Sequence, residues 1–288
     1  MQRSLVAVGW SMVAFTVVAL IGLALDPREI TGAPAWLKPL KFALSAGVYA
    51  VSLAWVLRFV QGREVLRLRV ALVSAVVLVL EVALIALQAA RGVTSHFNDA
   101  SPLDGAIFSA MGLGITALWV CQLVVAAVLL RQPAGPDAAL AWSLRLGMGI
   151  TALGAGVGWI MVAHHGHTVG ALDGGPGAPL TNWSLAHGDL RAAHALGLHA
   201  LQVIPLLAWA LGRVRALSAE QRARLTVTAG LGYGALVLLA TAQALRAQPL
   251  TALDGPAQLA LGIWAGCCAL GAAVAVLGGR RPVALEAA

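Results

Sequence analysis

Charge is scarce in this chain. Only 11% of its 288 residues are Asp, Glu, Lys or Arg, while 60% are hydrophobic and mean hydropathy is +0.85. No soluble domain of this length hides so much apolar surface, so a water-soluble fold is excluded. Cysteine is scarcer still, with three residues. Cys121, Cys267 and Cys268 form no CxxC or other metal spacing, and a vicinal pair is a poor disulfide candidate. They read as small apolar packers. HExxH and serine-nucleophile motifs are missing, which leaves a zinc-dependent membrane hydrolase without its usual signature. The net charge of +7 is no nucleic-acid footprint, because the cations sort by loop instead of clustering on one face.

What is present are long apolar runs. Eight of them, over 4–25, 40–60, 69–90, 105–131, 141–163, 189–212, 224–246 and 256–279, have about the 20 residues a helix needs to cross a bilayer. They are too long and too rich in Ala and Leu for strands, and lipid demands internally satisfied backbone. The first run exceeds a signal-peptide core and no cleavage site clearly follows, so it counts as a membrane helix. The expectation is an all-α integral membrane bundle of eight transmembrane helices.

Arg3, Arg58, Arg63, Arg67, Arg69, Arg131, Arg145, Arg213, Arg215, Arg222, Arg224, Arg280 and Arg281 fall on one side of such a bundle. Arg28, Lys38, Lys41, Arg91, Arg191 and Arg246 fall on the other. The positive-inside rule makes the first side cytoplasmic, with both termini inside. The Ala, Leu and Arg bias points to a bacterial cytoplasmic membrane, and the expected partners are the lipid bilayer and a small ligand or cofactor.

Short matches recur in order along the chain. LQAARG (87–92) pairs with AQALRA (242–247), which sets Gln88 over Gln243 and Arg91 over Arg246. SPLDG (101–105) pairs with TALDG (251–255), which sets Asp104 over Asp254. Two parallel four-helix repeats follow, 1–135 and 136–288, since an even unit restores orientation. Both aspartates read as helix caps. The glycines at 154–158 sit within an apolar helix and suit close packing. Pro205 is the one proline well inside a run and is expected to kink it.

The histidines carry the functional signal. His96, His164, His165, His167, His187, His194 and His199 all fall in loops or helix halves on the expected outer side. Histidines so gathered could ligate haem or a divalent metal. In HGDLRAAHALGLHALQ (187–202), His187, Arg191 and His194 share a helix face. Glu81 lies mid-run, about as deep as His199, and a lone carboxylate there costs a few kcal/mol unless paired, protonated or wet. A proton or polar relay of Glu81, Gln88, His199 and Gln202 is expected to join His194 in one outward pocket. Lys41, Arg91, Arg191 and Arg246 at outer helix ends suit an anionic ligand.

The motifs QAARGVTSHFN (88–98) and HGDLRAAHALGLHALQ (187–202) resemble a group of uncharacterised bacterial multi-pass membrane proteins, over the outer ends of the third and sixth runs and much of the chain. The eight helices in two halves are more loosely similar to haem A synthase. That resemblance implies haem near the outer side, held by histidines on paired helices of each half. The second, fourth and eighth runs here hold no histidine. The first expectation is therefore a membrane redox protein binding haem or a metal; the alternative is a proton-coupled transporter of a small solute, an anion among the candidates, and the third a zinc-dependent membrane hydrolase.

Overall fold

A computed structural model describes residues 2–278. Arg280 and Arg281 lie outside the described residues. The helices are α1 (Gln2–Leu25), α2 (Leu37–Val56), α3 (Glu64–Arg91), α4 (Pro102–Arg131), α5 (Ala138–His164), α6 (Leu190–Leu198), α7 (Ala200–Gly212), α8 (Ala219–Leu245) and α9 (Gly255–Leu277). Two short antiparallel ladders, β1 (Glu29–Ile30) with β2 (Ala33–Pro34) and β3 (Thr168–Val169) with β4 (Gly188–Asp189), stiffen the longer loops. Seven helices are each long and apolar enough to cross a membrane, and the bent pair α6–α7 makes an eighth span. The chain is thus an all-α, multi-pass membrane architecture, and each expected run corresponds to one span.

The helices begin earlier than hydrophobicity alone suggests, because polar caps precede the apolar runs. Asp137 accepts from the Leu140 N–H, and Ser218 forms a reciprocal capping box with Gln221. Asp254 caps α9 as expected. Asp104 does not cap α4: Ser101 is the cap and Asp104 stands in the first turn, bonded back to the Ser101 hydroxyl. Gly92, at φ +77°, closes α3 with a Schellman turn, Gly92 N–H to Ala89 and Val93 N–H to Gln88.

All spans alternate, so loops 26–36, 92–101, 165–189 and 246–254 share one end. Arg28 of the first reaches the Ala90 carbonyl, Lys41 reaches the Thr181 carbonyl, and Thr251 reaches the Leu185 carbonyl. This is the loop-rich end. At the other, arginine-rich end, Gln132 donates to the Phe59 carbonyl and Arg145 to the Leu129 and Gln132 carbonyls. The largest apolar core joins α1–α4 and extends to Leu144, Met148 and Leu201 of α5 and α7. Helix α9 packs on α8 and leaves most of its surface exposed, as a lipid-facing helix does.

The sixth span is broken, and not at Pro205. The axis turns by 45° between Leu198 and Ala200, with His199 at the joint. Neighbours explain the place. Gly197 lies so close to Gly154 of α5 that a Cβ there would stand 2.4 Å from the Gly154 Cα. The Leu201 N–H, freed by the turn, donates to the Thr151 hydroxyl of α5 at 3.1 Å. Non-helical backbone at membrane depth persists only where protein satisfies it, and α5 does so here. The glycines at 154–158 thus serve backbone approach, with Gly154 on Gly197 and Gly158 facing His194.

Candidate functional site

The loop-rich end holds a cleft of about 140 Å³ between α2, α3 and the long loop 165–189. Lys38, Lys41, Ser95, His167, Asn182 and Arg191 supply its polar lining. Lys38 and Lys41 stand in the first turns of α2, three residues apart and hence on neighbouring positions of one face. Lys41 donates to the Thr181 carbonyl at 2.9 Å, and Lys38 approaches His96 Nδ1 at 3.1 Å. Among the described residues neither lysine forms an ion pair with a carboxylate. Glu81 and Asp173 act on Lys38, and Asp189 on Lys41, only through space, so both ammonium groups keep donors free toward the cleft.

Below the lysines, His96 links the cleft to the interior. Its Nδ1 faces both Lys38 and the Ser95 hydroxyl at 3.1 Å, and its Nε2 lies 3.6 Å from Glu81 Oε1, just beyond hydrogen-bond reach. An ammonium can only donate, so Nδ1 accepts and the imidazole proton sits on Nε2, pointing at Glu81. Burial, then the positive charge of Lys38, holds the His96 pKa well below 6.5, so the ring is neutral. The aromatic rings of Phe42, Phe97 and Phe108 surround it at centroid distances of 5.8–6.2 Å. Phe97 holds φ +52°, a conformation a bulky residue adopts only under tertiary constraint. The tight turn at Gly92 and this constrained residue fold the loop back and place His96 over Glu81.

The sequence-derived groups distribute as follows. Glu81 and Gln88 share the buried face of α3. Gln88, however, is locked to Asp104 at 2.8 Å and to Arg91, with no contact to Glu81. His194 is spent on the Gly154 carbonyl at 2.8 Å. His199 is exposed on the outside of the bundle, and Gln202 beside it donates to Ser52 of α2 at 2.9 Å. Glu81, Gln88, His194, His199 and Gln202 therefore do not share one pocket, because the break at His199 turns that side chain away.

Of the four outer cations, Arg91 pairs with Asp104 at 2.6 Å, Arg191 with Asp189 at 2.6 Å, and Arg246 with Asp254. Lys41 alone lacks a carboxylate. Lys38, which the sequence placed at this end without assigning it a role, is the cation the reading missed. Its signal was the KPLK spacing at a helix start.

The histidines form no single cluster, although His167 and His194 lie near enough to His96 for their charge to act on it. His164 and His165 are exposed at the end of α5, where His165 takes the left-handed closing position at φ +54°. His187 and His167 line a second recess of about 110 Å³ beside Arg191. His167 Nδ1 is 3.1 Å from Asp173, and burial followed by the Arg191 charge lowers its pKa to about 4. Among the described residues no three His, Cys, Asp or Glu side chains gather as a metal ligand set. Comparison with known protein families, curated proteins and solved structures finds no match to this chain.

Proposed function

We propose that the protein is a proton-coupled transporter of a small anionic solute, residing in a bacterial cytoplasmic membrane with its loop-rich end outward. The observation that carries this reading is the pair Lys38 and Lys41, neither in a direct ion pair among the described residues, lining an open cleft above the buried Glu81. An anion seated between Lys38, Lys41 and the edge of Arg191 accepts from both ammonium groups. Its arrival draws Lys38 away from His96 Nδ1. The imidazole then passes a proton between the cleft and Glu81, taking it at one nitrogen and releasing it at the other. A carboxylate and a histidine at membrane depth suit that role.

Two further features support transport. The sixth span is discontinuous at His199, as substrate-handling helices of transporters often are. The ends of α3 and α8 are also built alike: Gln88 donates to the Thr94 carbonyl and Gln243 to the Pro249 carbonyl, each six residues on. Arg91–Asp104 and Arg246–Asp254 repeat the same ion pair. This supports two parallel four-helix repeats, 1–135 and 136–288. The arginines gathered at the opposite end favour that end as cytoplasmic.

Equilibrium binding of labelled phosphate, succinate and lactate to detergent-purified protein tests the site. At least one anion binds, Lys38→Gln and Lys41→Gln each weaken it tenfold or more, and Arg246→Gln leaves it unchanged. Absence of binding, or binding indifferent to both lysines, overturns the reading.

A further inference from the structure

Helix α3 carries a polar residue at every seventh position: Arg67, Ser74, Glu81 and Gln88. Seven residues bring an α-helix back to nearly the same direction, with a drift of about 20°. The four therefore form one stripe along a 28-residue helix, from the arginine-rich end to the loop-rich end. Ser74, Glu81 and Gln88 are buried within the protein, so the stripe faces neighbouring helices and not lipid.

Along its lower half several polar atoms are left without protein partners, although the Arg67 Nη2 pairs with Glu64. The Ser74 hydroxyl, the Arg67 Nε, the Tyr49 hydroxyl of α2 and the Gln122 Nε2 of α4 are all buried and make no hydrogen bond among the described residues. Helices α2 and α4 both pack on α3. Tyr49 lies seven residues from the lower end of α2 at Val56, Ser74 ten from that of α3 at Glu64, and Gln122 nine from that of α4 at Arg131. At about 1.5 Å per residue all three sit roughly 10–15 Å above the arginine-rich end. The three atoms are buried, so their side chains are turned inward from three helices at about one depth, below Glu81. The upper half differs: Gln88 is fully engaged by Asp104 and Arg91.

Buried polar groups in proteins are hydrogen-bonded, to ordered water where protein offers nothing. We infer that Tyr49, Ser74 and Gln122 hold internal water that continues the proton path from Glu81 down to Arg67 and the arginine-rich end. The path runs inside the first four helices, separate from the route of the anion. It rests on the reading of Glu81 as a proton carrier. In that scheme Glu81 receives a proton from His96 Nε2 and hands it to the water held by Ser74 and Tyr49, so no charge accumulates at mid-membrane.

The test uses the full-length protein in liposomes enclosing a pH-sensitive dye, with a potassium diffusion potential driving protons inward, phosphate, succinate and lactate present outside, and empty liposomes as background. Ser74→Ala with Tyr49→Phe removes two unpaired hydroxyls, so the variant melts as the wild type does. Gln122→Met is an independent second variant. Each slows proton entry tenfold or more while binding of phosphate, succinate and lactate to the cleft is unchanged. Equal entry rates in wild type and both variants, zero included, overturn the path. A wild-type protein that binds none of the three anions but loses proton entry in the variants contradicts the transport reading alone.

Discussion

Gly197→Ala offers the sharpest structural perturbation. A Cβ at Gly197 would lie 2.4 Å from the Gly154 Cα, and the reverse substitution is as tight, at 2.5 Å from the Gly197 Cα. Comfortable carbon contacts begin near 3.5 Å, so the two backbones must part by about 1 Å or more. Backbone on both sides leaves no flexible side chain to give way. That separation stretches the His194–Gly154 bond from 2.8 Å and the Leu201–Thr151 bond from 3.1 Å, carrying both beyond useful range. Each buried group so orphaned costs about 1–3 kcal/mol, which makes about 3–5 kcal/mol with the lost packing. Gly156→Ala is the matched control, because nothing lies within 4 Å of its added Cβ, and it gains up to about 1 kcal/mol in helix propensity. Reversible unfolding in mixed micelles, followed by circular dichroism, compares them. If Gly197→Ala proves as stable as Gly156→Ala, the account of the broken sixth span is wrong.

Three other outcomes are expected. Asp104→Asn destabilises by about 2–3 kcal/mol, because its side chain is 6% exposed and serves Arg91, Gln88 and Ser101 together. Asp254→Asn costs less, since that pair is 44% and 32% exposed and screened by solvent; the same unfolding assay ranks the two. His167 is neutral in the folded protein down to about pH 4, while an unfolded histidine protonates near 6.5. The unfolded chain therefore binds the extra proton between those values, so stability falls as pH drops from about 6.5 to 4 and levels off below. His167→Asn reduces that slope by the share of its one proton, and an unchanged slope in the variant refutes the assignment. Lys41→Gln also reduces the salt dependence of anion binding, because one screened attraction is gone.

The spans were legible because lipid imposes one length and one composition on every crossing helix. Their starts were less so: hydropathy ignores Asp137 and Ser218, which cap α5 and α8 before the apolar residues begin. The break at His199 was hidden for a different reason. Pro205 is the visible helix breaker, yet the turn depends on the Thr151 hydroxyl and on Gly154, some fifty residues earlier in the chain. Glu81 stood out as a carboxylate within an apolar run. Its real neighbours, His96 and Lys38, did not, since their meeting rests on the fold of loop 92–101 and a contact spanning 58 residues. Depth matching paired Glu81 with His199, but equal depth says nothing of facing direction, and His199 points away.

On the proposed function, protons passing through Glu81 drive the movement of the anion. Uptake of labelled phosphate, succinate and lactate into proteoliposomes under an imposed inward proton gradient measures this. At least one of them accumulates under the gradient, and accumulation is lost in Glu81→Gln while anion exchange across the membrane persists. Accumulation of none, or accumulation that Glu81→Gln leaves intact, contradicts it.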